Sequence, residues 1–214
     1  MNLYDIFLKP YESYETSQIL LEAAATFFGL ISVLFSIRKN ILVYPTGIIS
    51  TVLYVYILYV FGLVGDMMIN SYYTAMSIYG WILWSKNTND HIHVKVSKTN
   101  KKEWLQSAVL FILSLILVTL IYYWKPVFDN HATPGLAYLD WANWLDVLTT
   151  AIFLVGMWLM AKRKIENWIF WIIGDLVSVP LYLYKGLGIT SVQFLIFTVL
   201  AVIGYREWNR NQKV

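Results

Sequence analysis

The stretch 166–184, ENWIFWIIGDLVSVPLYLY, is mostly apolar, yet it carries an acid, Asp175, near its middle and indoles at Trp168 and Trp171 before it. A hydrocarbon layer of about 30 Å takes roughly 20 helical residues to cross, so the run reads as a membrane span. Asp175 lies eight residues beyond Asn167, a depth of about 12 Å at ~1.5 Å per residue. An acid at that depth faces a pathway or a partner.

The rest of the chain has the same character. It is 214 residues long, 58% hydrophobic, 17% aromatic and 14% charged, a balance that no water-soluble domain of this length can bury in one core. Apolar runs of spanning length fall at 18–37, 41–61, 64–84, 104–124, 141–161, 167–184 and 187–208. The expected fold is all-α, with seven transmembrane helices. The first 17 residues have neither a basic start nor a small-residue cleavage site, so the first span is expected to target the chain to the membrane. An odd number of crossings puts the termini on opposite sides. Thirteen of the basic residues, among them Arg38, Lys39, Lys162, Arg163, Lys164, Arg206 and Arg210, then fall on one side, and Lys9, Lys125 and Lys185 on the other. Positive-inside bias makes the richer side cytoplasmic, with the N-terminus outside.

The two halves resemble each other. NILVYPTG (40–47) aligns with NWIFWIIG (167–174) at an offset of 127, and SIYGWILW (77–84) with AVIGYREW (201–208) at 124. A three-residue slip in the turn after the second helix would reconcile the two offsets. The expected organisation is an N-terminal segment 1–17, a three-helix unit 18–84, a cytoplasmic loop 85–103, a linker helix 104–124, a second unit 141–208 and a tail 209–214. The linker crossing keeps the two units parallel, a 3+1+3 plan. Bundles built from repeats bind small solutes near the midplane between the units.

At 100° per residue, Trp168, Trp171, Asp175, Ser178 and Tyr182 share a stripe about 80° wide. The third span offers Asp66, Asn70, Tyr73 and Ser77, the seventh Thr190, Gln193 and Phe197, and the second Tyr44, Gly47 and Thr51. Trp84, Trp104, Trp124 and Trp208 stand at span ends, where indoles act as interfacial anchors. Glu22, Asp66 and Asp146 near the outer ends, with Asp5, Glu12, Glu15, Asp129 and Asp140 in the outer segments, suggest a mouth that attracts cations. Rings plus one carboxylate suit a flat, positively charged ring.

Other chemistries lack their residues. Cysteine is absent and none of the three histidines lies in a span. The His91–His93 pair has no third ligand nearby, and its segment reads as a surface turn or hairpin. No metal or cofactor is expected. A retinal-binding protein needs a lysine in its last span, and an intramembrane hydrolase needs an HExxH pair, a nucleophile elbow or a Ser/His dyad at depth; the spans supply none of these. The chain is read as a carrier and not an enzyme, and nothing points to nucleic acid. A sugar carrier would not need the acidic mouth, and a receptor or scaffold would bind without transporting.

ENWIFW at 166–171, IYGWILW at 78–84 with Asn70 ten residues before its glycine, and EAAATFFGL at 22–30 resemble the PnuC family of bacterial vitamin transporters. The likeness runs over roughly 18–208. It implies a fold related to the SWEET sugar carriers, residence in the bacterial inner membrane and facilitated diffusion made directional by a cytoplasmic kinase. A homotrimer belongs to the same set of expectations. By the same resemblance Trp168, Trp171, Asn70 and Gln193 form the substrate site and Asn167 supports the turn. Nicotinamide riboside is the first candidate. Thiamine is also cationic, aromatic and hydroxylated, and these residues do not separate the two.

Overall fold

The computed structural model describes residues 15–60, 64–86, 95–128, 133–137, 139–185 and 188–210, without the side chains of 64–66 and 128. His91, His93, His131, Asp129, Asp5 and Glu12 lie outside the described residues, as does the Asp66 side chain. Seven helices are present among the described residues: α1 (Thr16–Ile37), α2 (Val43–Val60), α3 (Val64–Ser85), α4 (Lys101–Phe128), α5 (Trp141–Ala161), α6 (Asn167–Tyr184) and α7 (Gly188–Arg210). All but α3 are long and apolar enough by themselves to cross a bilayer. The polar residues Asn70, Ser71, Thr74 and Ser77 lower the hydropathy of α3.

Reciprocal caps start three of the helices: at α1 Glu15 and Gln18 form the box, the Glu15 amide donating to the Gln18 side chain at 3.0 Å. At α5 the Asn143 amide donates to Asp140 at 2.8 Å and the Asp140 amide to the Asn143 side chain at 3.0 Å. At α4 Asn100 and Glu103 exchange the same pair of bonds, both at 2.9 Å. Each exchange satisfies amides that a helix start otherwise leaves unpaired.

The helices pack in the cyclic order α1, α2, α3, α5, α6, α7, with α7 returning to α1. The fourth helix, α4, rests mainly on α5, outside this ring. The two units therefore meet at two seams, α3 with α5 and α1 with α7, while α2 and α6 sit opposite one another.

The turn between α1 and α2 is repeated between α5 and α6 at a constant offset of 124. Lys39 (φ 56°) corresponds to Arg163 (φ 61°), both in the left-handed region that most residues avoid. The bond from the Asn40 amide to the Phe35 carbonyl, 2.9 Å, matches that from Lys164 to Leu159, also 2.9 Å. Val43 to Asn40 matches Asn167 to Lys164, each at 3.1 Å. This corrects the offset of 127: Asn40 corresponds to Lys164, and Gly47 to Trp171. No three-residue slip is needed, because backbone geometry fixes the register.

Candidate functional site

At the end of the bundle that carries these basic turns, an aromatic cluster fills the ring. The Tyr44 ring meets Trp84 edge-on at 5.0 Å, Trp84 lies 6.3 Å from Trp208, and Trp208 meets Trp168 edge-on at 5.5 Å. All four are buried. Tyr44 and Trp168 hold corresponding positions, and each fits over a glycine of the third helix of its unit. A Cβ on Gly80 would come within 2.4 Å of the Tyr44 ring, and one on Gly204 within 2.6 Å of Trp168. The Trp84 indole donates to the Ala161 carbonyl at 3.1 Å and the Trp208 indole to that of Ser36 at 2.8 Å, one bond across each seam. Trp84 and Trp208 are thus buried cross-unit ties, not the interfacial anchors their positions at span ends suggested.

Deeper in the bundle the second unit carries a stack of rings. Trp171 of α6 stacks on Phe153 of α5 at 5.4 Å, Phe153 faces Phe194 of α7 at 6.1 Å, and Phe194 stacks on Tyr182 of α6 at 5.0 Å. Among its described residues the first unit has no such stack. Gly29 stands where Phe153 does and Gly47 where Trp171 does, while Gly174 and Gly156 make room for the rings in the second unit. A Cβ on Gly174 would lie 2.3 Å from Phe153.

Asp175 is 3% exposed on α6, on the helical stripe that Trp171 and Tyr182 share. Its carboxylate has no hydrogen bond or ion pair among the described residues. Tyr73 of α3 lies within electrostatic range of both Asp175 and Tyr182. Gln193 of α7 lies within electrostatic range of the Tyr54 hydroxyl of α2, which shares a 2.8 Å bond with Thr26 of α1. The Tyr72 hydroxyl donates to the Leu154 carbonyl at 3.2 Å across the other seam.

The sequence-expected residues therefore separate into groups. Trp171, Asp175, Tyr73 and Tyr182 come together in the interior, and Gln193 joins the seam between α1 and α7. Trp168 and Tyr44 belong to the basic-end cluster instead. Asn167 is fully buried and its side-chain amide donates to the Lys164 carbonyl, tying the turn. Asn70 accepts a 3.0 Å bond from Thr74 at its carbonyl, and Thr190 is half-buried in the first turn of α7. Phe153, Phe194, Tyr54 and Thr26 were not singled out in the sequence.

The acidic mouth also needs correction. Asp146 is paired with Lys185 and accepts a 3.2 Å bond from the Tyr122 hydroxyl, while Asp140 caps α5. Two of the expected carboxylates are thus already engaged by the protein. Among the described residues no cluster of side chains could hold a metal ion.

A ring of six helices around a buried acid and a stack of aromatic rings, with a seventh helix outside, defines a multi-pass membrane transporter of the 3+1+3 type. The chain belongs to the nicotinamide mononucleotide transporter family, whose profile matches residues 19–210. It is 26% identical to the nicotinamide riboside transporter PnuC of Escherichia coli K12, with 91% of this chain and 86% of that protein covered. It is 25% identical to the riboflavin/roseoflavin transporter RibM of Streptomyces davaonensis, covering 84% of this chain and 80% of that one. The crystal structure of the vitamin B3 transporter PnuC has the same fold, with a TM-score of 0.66 at 23% identity and coverage of 91% of this chain and 83% of that one.

Proposed function

We propose that the protein carries nicotinamide riboside by facilitated diffusion across a bacterial inner membrane. The basic end faces the cytoplasm, where a kinase phosphorylates the incoming substrate and traps it, and the carrier works as a homotrimer. The units 18–84 and 141–208 move about the α3–α5 and α1–α7 seams, with the basic-end cluster as the barrier that opens toward the cytoplasm.

The observation that carries the substrate reading is Asp175. A carboxylate that is 3% exposed and lacks a protein counter-charge among the described residues is costly to hold ionised. A cationic ring against the neighbouring aromatics supplies both the charge and the stacking surface. RibM, a relative named for riboflavin and roseoflavin, points to an isoalloxazine as the second reading. Thiamine is the third.

Calorimetric titration of the purified protein with nicotinamide riboside, thiamine and riboflavin separates these readings. Nicotinamide riboside is expected to bind most tightly, and Asp175→Asn to weaken it by about tenfold, the equivalent of ~1.4 kcal/mol. Tighter binding of riboflavin, unchanged in Asp175→Asn, would move the assignment to the second reading.

A further inference from the structure

At the basic end, outside the helical ring, an open cavity of about 410 Å³ is lined by Tyr79 and Leu83 of α3, Lys95 and Ser97 of the segment before α4, Glu103 of α4, and residues 161–164. Its charges are unevenly satisfied. Lys164 pairs with Glu103 at 2.9 Å and donates to Ser97 at 3.0 Å. Lys162 lies over the Trp158 ring at 4.2 Å and reaches Gln106 at 3.4 Å. Arg163 and Lys95 have neither an ion pair nor a hydrogen bond from their side chains among the described residues. The one acid in the lining is therefore already neutralised by Lys164, three cations remain without a counter-charge, and two of them, Arg163 and Lys95, have no side-chain partner among the described residues.

The position of the cavity narrows the ligand further. Tyr79 lies six residues before the end of α3 at Ser85, about 9 Å back along the helix at ~1.5 Å per residue. The cavity thus runs from a polar rim of Lys95, Ser97 and Arg163 to an apolar wall of Tyr79, Leu83 and Ala161. α3 and α4 both pack on α5 but barely on each other, so the wall continues as a lateral crevice. Tyr79 and Ile82 on α3, and Leu105 and Val109 on α4, are exposed.

We propose that this cavity is a binding site for an anionic phospholipid, with the phosphodiester between Arg163 and Lys95 and an acyl chain in the crevice between α3 and α4. A free phosphate satisfies the cations but leaves the apolar wall uncovered. A zwitterionic lipid covers the wall but adds its own ammonium beside Arg163 and Lys95. Basic pockets between transmembrane helices near the membrane surface recognise anionic head groups in this way. The site depends only on the chain spanning a bilayer, not on which solute it carries.

Retained lipid decides the matter. The full chain, purified from an equimolar mixture of phosphatidylglycerol and phosphatidylcholine, is analysed by mass spectrometry. Phosphatidylglycerol should be enriched, and the Lys95→Gln/Arg163→Gln variant should lose about tenfold or more of that enrichment. Lys101→Gln/Lys102→Gln removes the same charge outside the cavity lining and should retain the parent's preference. Lys95→Gln alone alters only an exposed loop side chain and should lose about fivefold, which keeps the test available if the double variant folds poorly. Solute binding by the parent, measured in parallel, reports on the carrier reading separately. Equal retention of the two lipids, equal loss in the control variant, or displacement of the lipid by excess inorganic phosphate would overturn the proposal.

Discussion

The Trp208 indole donates a 2.8 Å hydrogen bond to the carbonyl of Ser36, joining the last helix to the first, and Trp84 makes the counterpart bond to Ala161 at 3.1 Å. Replacing either indole with phenylalanine keeps a ring in the cluster but leaves a buried carbonyl without its cross-seam donor. Each single variant should lose about 1 kcal/mol of stability, read as a lower melting temperature in detergent. The two rings lie 6.3 Å apart, so the double variant should depart from the sum of the singles. Strict additivity would mean that the two seams open independently.

Trp168 and Trp171 are one helical turn apart and should behave differently. Trp168 is 3% exposed within the basic-end cluster, so Trp168→Ala should cost about 3–5 kcal/mol of stability through the cavity it leaves. Trp171 is half-buried at the end of the ring stack. Trp171→Ala should weaken substrate binding by about tenfold, the worth of one stacked ring, with a smaller thermal effect. Calorimetry and melting curves on the two variants check this; equal profiles would contradict the separation of cluster from site.

The spans were legible in the sequence because the hydrocarbon thickness imposes its own length scale: the expected 141–161 and 167–184 coincide with α5 and α6. The repeat was visible, and Gly80 with Gly204 and Trp84 with Trp208 gave its offset of 124, but the register of the second helices was not. The identities Asn40 with Asn167 and Gly47 with Gly174 suggested 127, whereas the turns are built on Lys39 and Arg163, residues that carry no mark of a positive φ. Asp175 stood out as an acid in an apolar run. Phe153 and Phe194 could not, because a phenylalanine in a membrane span reads the same whether it faces lipid, core or site. The ion pair between Asp146 and Lys185 joins residues that the sequence counted only as separate charges.

The unequal glycines of the two units give a paired test. A Cβ on Gly174 meets the Phe153 ring at 2.3 Å, while one on Gly29 meets only the Ser50 hydroxyl at 3.1 Å. Gly174→Ala should therefore destabilise the protein by about 1–3 kcal/mol and weaken binding by displacing Phe153. Gly29→Ala should cost less, about 1 kcal/mol or below, since the Ser50 hydroxyl, which donates to the Ala25 carbonyl at 2.7 Å, need only shift by a few tenths of an ångström. Melting temperatures of the two variants give the comparison, and the reverse order would mean that the ring stack is loosely packed.

The central claim is that Asp175 balances the charge of a cationic vitamin precursor in a carrier that needs no energy source. The sixth helix offers this acid without a histidine beside it, which is too little for a chain of proton-relay groups. The measurement is uptake of labelled nicotinamide riboside into liposomes containing the purified protein, with and without an imposed proton gradient. The account predicts saturable entry to equal concentrations inside and outside, no accumulation when the gradient is applied, and slower entry to the same endpoint in Asp175→Asn. Accumulation driven by the gradient in the parent and abolished in Asp175→Asn would contradict it, making Asp175 a coupling residue.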